Sequence, residues 1–135
     1  MKKEKIIIGA RGSKLALIYA QKAKNEIVKN SNLPDKDIQI KEIITKGDQV
    51  QESRLSDIGG KGLFSKNIEL ELREKKIDIA VHALKDMPAN EPDDLIANSF
   101  LKRNDPREIL ISSKNIRFKN LKLKSVVGTS SFRRE

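Results

Sequence analysis

Residues 5–10, KIIIGA, constrain the fold more than any other stretch of this chain. Three consecutive isoleucines cannot alternate between core and solvent. A strand built from them is buried on both faces, the situation of a strand inside a parallel sheet. Arg11, Gly12 and Ser13 follow as a turn, with Ser13 as the N-cap of a helix. That helix is predicted over residues 14–29, with Leu15, Tyr19, Ala23 and Ile27 as its buried stripe. The NSNLP stretch ends it.

The same alternation continues. Residues 37–45, DIQIKEIIT, read as a second strand, and residues 63–76 as a second helix with Phe64, Ile68 and Leu72 inward. Between them, residues 46–62 are polar and glycine-rich, a loop long enough to imply function. Residues 78–83, DIAVHA, read as a third buried strand, stopped near Pro88. Residues 95–101, 108–112 and 125–128 are further short strand candidates, and RNDPR at 103–107 is a breaker suited to a domain boundary or crossover. Strands alternating with helices predict an α/β fold with a mainly parallel sheet.

Composition narrows the partners. Of 135 residues, 28 are Lys or Arg and 19 are Asp or Glu, a net charge of +9 that favours acidic ligands unless it is only drift toward lysine. Aromatic residues are 4%, too few for a surface that stacks on bases. The chain has no cysteine, which excludes disulfides, zinc–thiolate sites and cysteine nucleophiles within it. It has no apolar run long enough to span a bilayer and no signal-peptide pattern, so the default expectation is the cytoplasm, without a membrane partner.

In parallel sheets ligands bind beyond the carboxyl ends of the strands. The residues expected there are Arg11 and Ser13, residues 45–48, Leu84 to Asp86, and residues 129–134. A guanidinium beside a capped helix start suits a carboxylate. Lys85 and Asp86 pair a cation with a carboxylate, which is either proton-transfer and cation-stabilising machinery or a surface ion pair. His82, the sole histidine, falls within the predicted strand and reads as a core residue. Lys61 sits among glycines without the spacing of a phosphate loop, which suggests a lid hinge or an inert loop. Thr129 and Ser131 followed by Arg133 and Arg134 suit a polyanion lying across a helix start, or are solvated residues at a frayed end.

The stretches ARGSKLAL, TKGD, GGKGLFSK, DIAVHALKDMP, RNDPRE and VGTSSFRR, in this order, resemble the front portion of the porphobilinogen deaminase (hydroxymethylbilane synthase) family. The resemblance implies an enzyme, a transferase of porphyrin and haem biosynthesis. It joins porphobilinogen units into a linear tetrapyrrole, releases ammonia, and primes the chain on a dipyrromethane cofactor held by a cysteine. It implies a lobe like those of type II periplasmic binding proteins over residues 1–103, lacking its returning strand. The start of a second similar lobe would occupy residues 104–135, with the cysteine-bearing third domain absent. It makes Asp86 the catalytic carboxylate and Arg11 and Ser13 substrate contacts. Lys85, Thr129, Ser131, Arg133 and Arg134 become holders of the cofactor carboxylates, and Lys61 and Phe64 part of the lid. Lys14 and Tyr19 depart from the proline and glutamine common in the family.

On this reading the chain alone is expected to be an inactive fragment, completed if at all by a companion chain, with residues 105–135 poorly ordered or held by packing on another chain. Two rivals stand beside it. One is a lobe that binds a carboxylate ligand without chemistry, and the other is a basic nucleic-acid-binding domain.

Overall fold

The computed structural model describes residues 5–45, 65–90, 92–112, 114–129 and 131. The chain divides into two compact units, residues 1–101 and 102–135. The first unit holds the sheet. Strand β1 (Ile6–Arg11) lies in the middle, helix α1 (Lys14–Asn30) leads to β2 (Ile38–Ile43), and α2 (Lys66–Arg73) precedes the short β3 (Ile79–Ala80). The strand order is β2-β1-β3, and both pairings are parallel.

As expected from its isoleucines, β1 is packed on both faces. Ile8 and Ala10, at 0% exposure, join Ala20 of α1 and Ile38 in one core, with Ile6, Ile27 and Val28 packed against it. Ile7 turns the other way, toward a second core of Ile43, Ile68 and Ile77. The two helices therefore seal opposite faces of one sheet. Gly9 lies where the second core presses closest. A Cβ there would stand 2.4 Å from Ile77 Cδ1 and 2.8 Å from Ile43 Cδ1. Its small size, rather than its freedom of φ, is what the fold uses.

Asp78 fastens β3 to β1 at both polar groups of Ile7. The Ile7 N–H donates to Asp78 Oδ2 at 2.9 Å, and the Asp78 N–H donates to the Ile7 carbonyl at 2.8 Å. Two side-chain contacts tie α2 to β2: Asn67 Nδ2 donates to the Ile44 carbonyl at 2.8 Å, and Lys41 pairs with Glu71. Arg73 then holds the following turn through Asp94, with Nε to Oδ2 at 2.6 Å and Nη2 to Oδ1 at 3.0 Å.

The structure corrects several expectations. In α1 the buried position is Ala20, whereas Leu15 is 50% exposed. A strict four-residue spacing rotates by about 40° per step at 3.6 residues per turn, so Leu15, Tyr19, Ala23 and Ile27 fan across the helix. The third strand is shorter than residues 78–83, and His82 lies beyond its end, half-buried. Residues 95–101, 108–112 and 125–128 form no strand among the described residues. Ile96, Ile109, Ile111 and Val126 are 81–98% exposed. Strand propensity is realised only where a neighbouring ladder takes the backbone N–H and C=O groups.

Residues 102–135, where the sequence places the start of a second lobe, form the second compact unit. Its only regular element among the described residues is a 3₁₀ turn, Phe118–Asn120. The loop expected at residues 46–62 lies outside the described residues, as do Lys61 and Phe64.

Gly9→Ala should lower stability by roughly 1–3 kcal/mol through overpacking. Ile77→Val, which deletes the Cδ1 atom nearest the new methyl, should recover part of that loss. Urea denaturation of the two single variants and the double variant measures the coupling.

Candidate functional site at the carboxyl edge of the sheet

The crossovers define where a site can lie. The first carries the chain from β1 to one side and the second returns it to the other, so the strand order reverses at β1. Such a switch point opens a crevice beyond the carboxyl ends of the strands. Arg11 ends β1 there, and the turn Leu84–Asp86 follows β3 there.

Each side chain is positioned by local rules. Ser13 is extended (φ −68°, ψ 143°), and its Oγ accepts the Ala16 N–H at 3.3 Å, the capping contact expected from the sequence. The cap, two residues after Arg11, starts α1 at Lys14 and so fixes where the chain leaves β1. On the other side, the Asp86 N–H donates to the Ala83 carbonyl at 2.9 Å and the Met87 N–H to the Leu84 carbonyl at 3.2 Å. Pro88 disfavours a helical conformation at Met87, which is extended (φ −80°, ψ 143°), so the turn stops at Asp86.

These two segments meet. Arg11 Nη1 lies 3.7 Å from Asp86 Oδ2, with the side chains 19% and 25% exposed. The distance makes an ion pair beyond direct hydrogen-bond range. The guanidinium is near the carboxylate without being locked on it, and the partial exposure leaves both within reach of a ligand. Lys85, in the same turn, is exposed.

The remaining sites expected from the sequence divide in two. Thr129 and Ser131 belong to the second unit, where the Ser131 N–H donates to Thr129 Oγ1 at 3.2 Å. Lys61, Phe64, Arg133 and Arg134 lie outside the described residues.

Two neighbours were missed by sequence reasoning. Glu42, near the end of β2, lies against Gly12, where a Cβ would stand 3.2 Å from Glu42 Oε2. Parallel register, Ala10 with Glu42, is the signal that could have found it. The other is His82, read from the sequence as part of a core strand. Burial pushes its imidazole below the ordinary range, Glu69 and Asp86 pull it up, and Arg11 pushes it down. Among the described residues no cluster of three His, Cys, Asp or Glu could hold a metal ion. No helix among them is long and apolar enough to cross a membrane.

The parallel α/β unit thus brings an arginine and an aspartate together at its switch point, where sheets of this kind bind ligands. Comparison with known proteins identifies the chain's family. The family described as porphobilinogen deaminase, dipyromethane cofactor binding domain, matches residues 6–135, and the chain belongs to that family. It is 48% identical over 130 residues to the porphobilinogen deaminase of Lysinibacillus sphaericus (strain C3-41), covering 96% of this chain and 41% of that protein. It is 44% identical over 130 residues to that of Staphylococcus carnosus (strain TM300), covering 42% of it, and 45% identical over 127 residues to that of Syntrophomonas wolfei subsp. wolfei, covering 41%. The chain thus spans about two-fifths of the length of these relatives.

Two measurements follow from the site's local chemistry. Ser13→Ala should cost about 1 kcal/mol by removing the cap, and Ser13→Thr much less, read by thermal unfolding. The depressed His82 group also predicts the sign of a pH effect. Below about 6.5 the unfolded chain binds its proton before the folded chain does. Stability should therefore fall as the pH drops through that value toward the folded midpoint, and then level off. Urea midpoints between pH 7.5 and 5.5 should show the fall, and His82→Gln should flatten it.

Proposed function

We propose that this chain is part of a hydroxymethylbilane synthase that polymerises porphobilinogen into a linear tetrapyrrole with loss of ammonia. The observation that carries this reading is the Arg11–Asp86 pair at the switch point, one residue from a second cation, Lys85. Family membership supports it. The order β2-β1-β3, with helices on both faces, supports a lobe of the type II periplasmic-binding-protein kind.

The chemistry asks for two opposite things. Every porphobilinogen unit brings two carboxylates, so substrate and product are polyanions that need cations. Loss of ammonia from the aminomethyl group breaks a C–N bond and leaves an azafulvenium cation, which needs an anion. Arg11 supplies the first and Asp86 the second. The Asp86 carboxylate also accepts a pyrrole N–H and orients the ring, while Lys85 and Arg11 hold acetate or propionate groups. The new C–C bond forms at a free pyrrole α-carbon, whose proton is then lost.

The donor set suits the cofactor that the family description implies. A dipyrromethane presents carboxylates and N–H groups, matched by Arg11 and Lys85 on one hand and Asp86 on the other. When bound, this group supplies the pyrrole α-carbon from which the chain grows. By the family resemblance, Lys85, Thr129, Ser131, Arg133 and Arg134 would hold its carboxylates. Residues 102–135 hold ten Lys or Arg against three Asp or Glu, an excess suited to a polyanion. No cysteine in these 135 residues can form its thioether.

The test exchanges this chain for the matching segment of the Lysinibacillus sphaericus relative and follows porphobilinogen consumption and ammonia release. Asp86→Glu should lower kcat by about 10²-fold or more while substrate affinity changes by less than tenfold. Arg11→Gln should weaken substrate binding instead. Equal losses of binding and turnover in Asp86→Glu would favour a carboxylate-binding lobe without chemistry.

A further inference from the structure

His82 stands beside the pair in a way that gives it work. The parallel register matches Ile8 with Ile79 and Gly9 with Ala80, and the Val81 N–H donates to the Gly9 carbonyl at 2.9 Å. The strand pairing ends at Ala80 and the last ladder bond at Val81; carried one residue further, the same register would set His82 opposite Arg11. Alternation turns both to the same face. Ile7 and Ala80 meet the core under α2, and Arg11 and His82 continue those two rows. From α2, Glu69 follows the fully buried Ile68, with its side chain only 12% exposed and 3.9 Å from Arg73. From the turn after β3, Asp86 reaches Arg11.

The imidazole therefore lies in the field of Glu69 on one element and of Arg11 and Asp86 on two others, with Arg73 behind Glu69 and Lys85 exposed in the Asp86 turn. Its half-burial makes a charge costly there.

We propose that His82 is a positioning residue for the Arg11–Asp86 pair: neutral, it flanks Arg11 and lets the guanidinium rest toward Asp86, and protonated, it repels Arg11 from the pair. A proton on His82 places a second cation beside the guanidinium on the same sheet face, where Asp86 is the shared counter-charge. The pair is then drawn two ways, and the carboxylate reserved for a cationic intermediate is partly neutralised. The positioning is a property of this chain; its consequence for turnover rests on the tetrapyrrole reading above.

The experiment uses the 135-residue chain and the fact that His82 is its only histidine, so its imidazole C–H signals in NMR need no assignment. The wild-type titration midpoint should lie below about 6.5. Arg11→Gln should raise it, and Asp86→Asn and Glu69→Gln should lower it. In wild-type protein the Arg11 guanidinium signal should move with the same midpoint as His82. In His82→Gln it should stay independent of pH between 5 and 8. The wild-type comparison stands even if a variant fails to fold. An Arg11 signal that ignores the His82 titration, or a His82 midpoint unmoved by a folded Arg11→Gln, would overturn the proposal. In the exchanged enzyme, the acid limb of kcat/KM should follow the His82 midpoint and disappear in His82→Gln. Loss of NMR coupling sinks the positioning role, whereas intact coupling without turnover sinks only the tetrapyrrole reading.

Discussion

Burial of β1 on both faces is the constraint on which the rest of the first unit depends. A strand with three consecutive buried residues and the other three partly buried needs a ladder on each edge and a helix on each face. The chain supplies these from nearby sequence: β2 and β3 at the edges, α1 and α2 on the faces. The tightest point is Gly9, where two isoleucine side chains close over a backbone without a Cβ. Remove that clearance and Ile43 and Ile77 must move, and with them the strand end that carries Arg11. Core packing and site geometry are thus one problem, because the last residue of the buried strand is also the first residue of the site.

The electrostatics of the carboxyl edge follow from that placement. Parallel strands deliver their ends to one side of the sheet, so groups distant in sequence arrive together. Arg11 and Asp86 are 75 residues apart in the chain and 3.7 Å apart in space. In the proposed function the arginine answers the carboxylates of a ligand, and the aspartate answers a positive charge that develops during reaction. Partial burial strengthens both effects relative to water without the full penalty of a buried pair. The exposed pairs elsewhere, such as Arg107 with Asp105, answer only to each other and shape a local turn.

Much of the first unit was legible because its signals are local. A run of isoleucines, a serine followed by a helical period, and a proline after Lys85-Asp86-Met87 each act within a few residues, and each is found where expected. The errors have a common cause. Leu15 was placed inside because spacing shows a helix face but not where the sheet ends beneath it. His82 was read as core because the strand was drawn too long. Residues 108–112 and 125–128 have strand-like composition, yet Ile109 and Val126 are exposed, because a strand is a relation between two segments and not a property of one.

The sequence by itself determined the parallel α/β class of the first unit, the cap at Ser13, the family, and the candidate pair Arg11 and Asp86. Those rest on periodicity, on backbone chemistry within one turn, and on motif order. Only the tertiary structure decided that Arg11 faces Asp86, that Glu42 lies against Gly12, and that His82 falls half-buried just past the end of β3. Such proximities depend on strand register and on which helix covers which face. Packing sets both between segments tens of residues apart, and no local pattern in the chain encodes them.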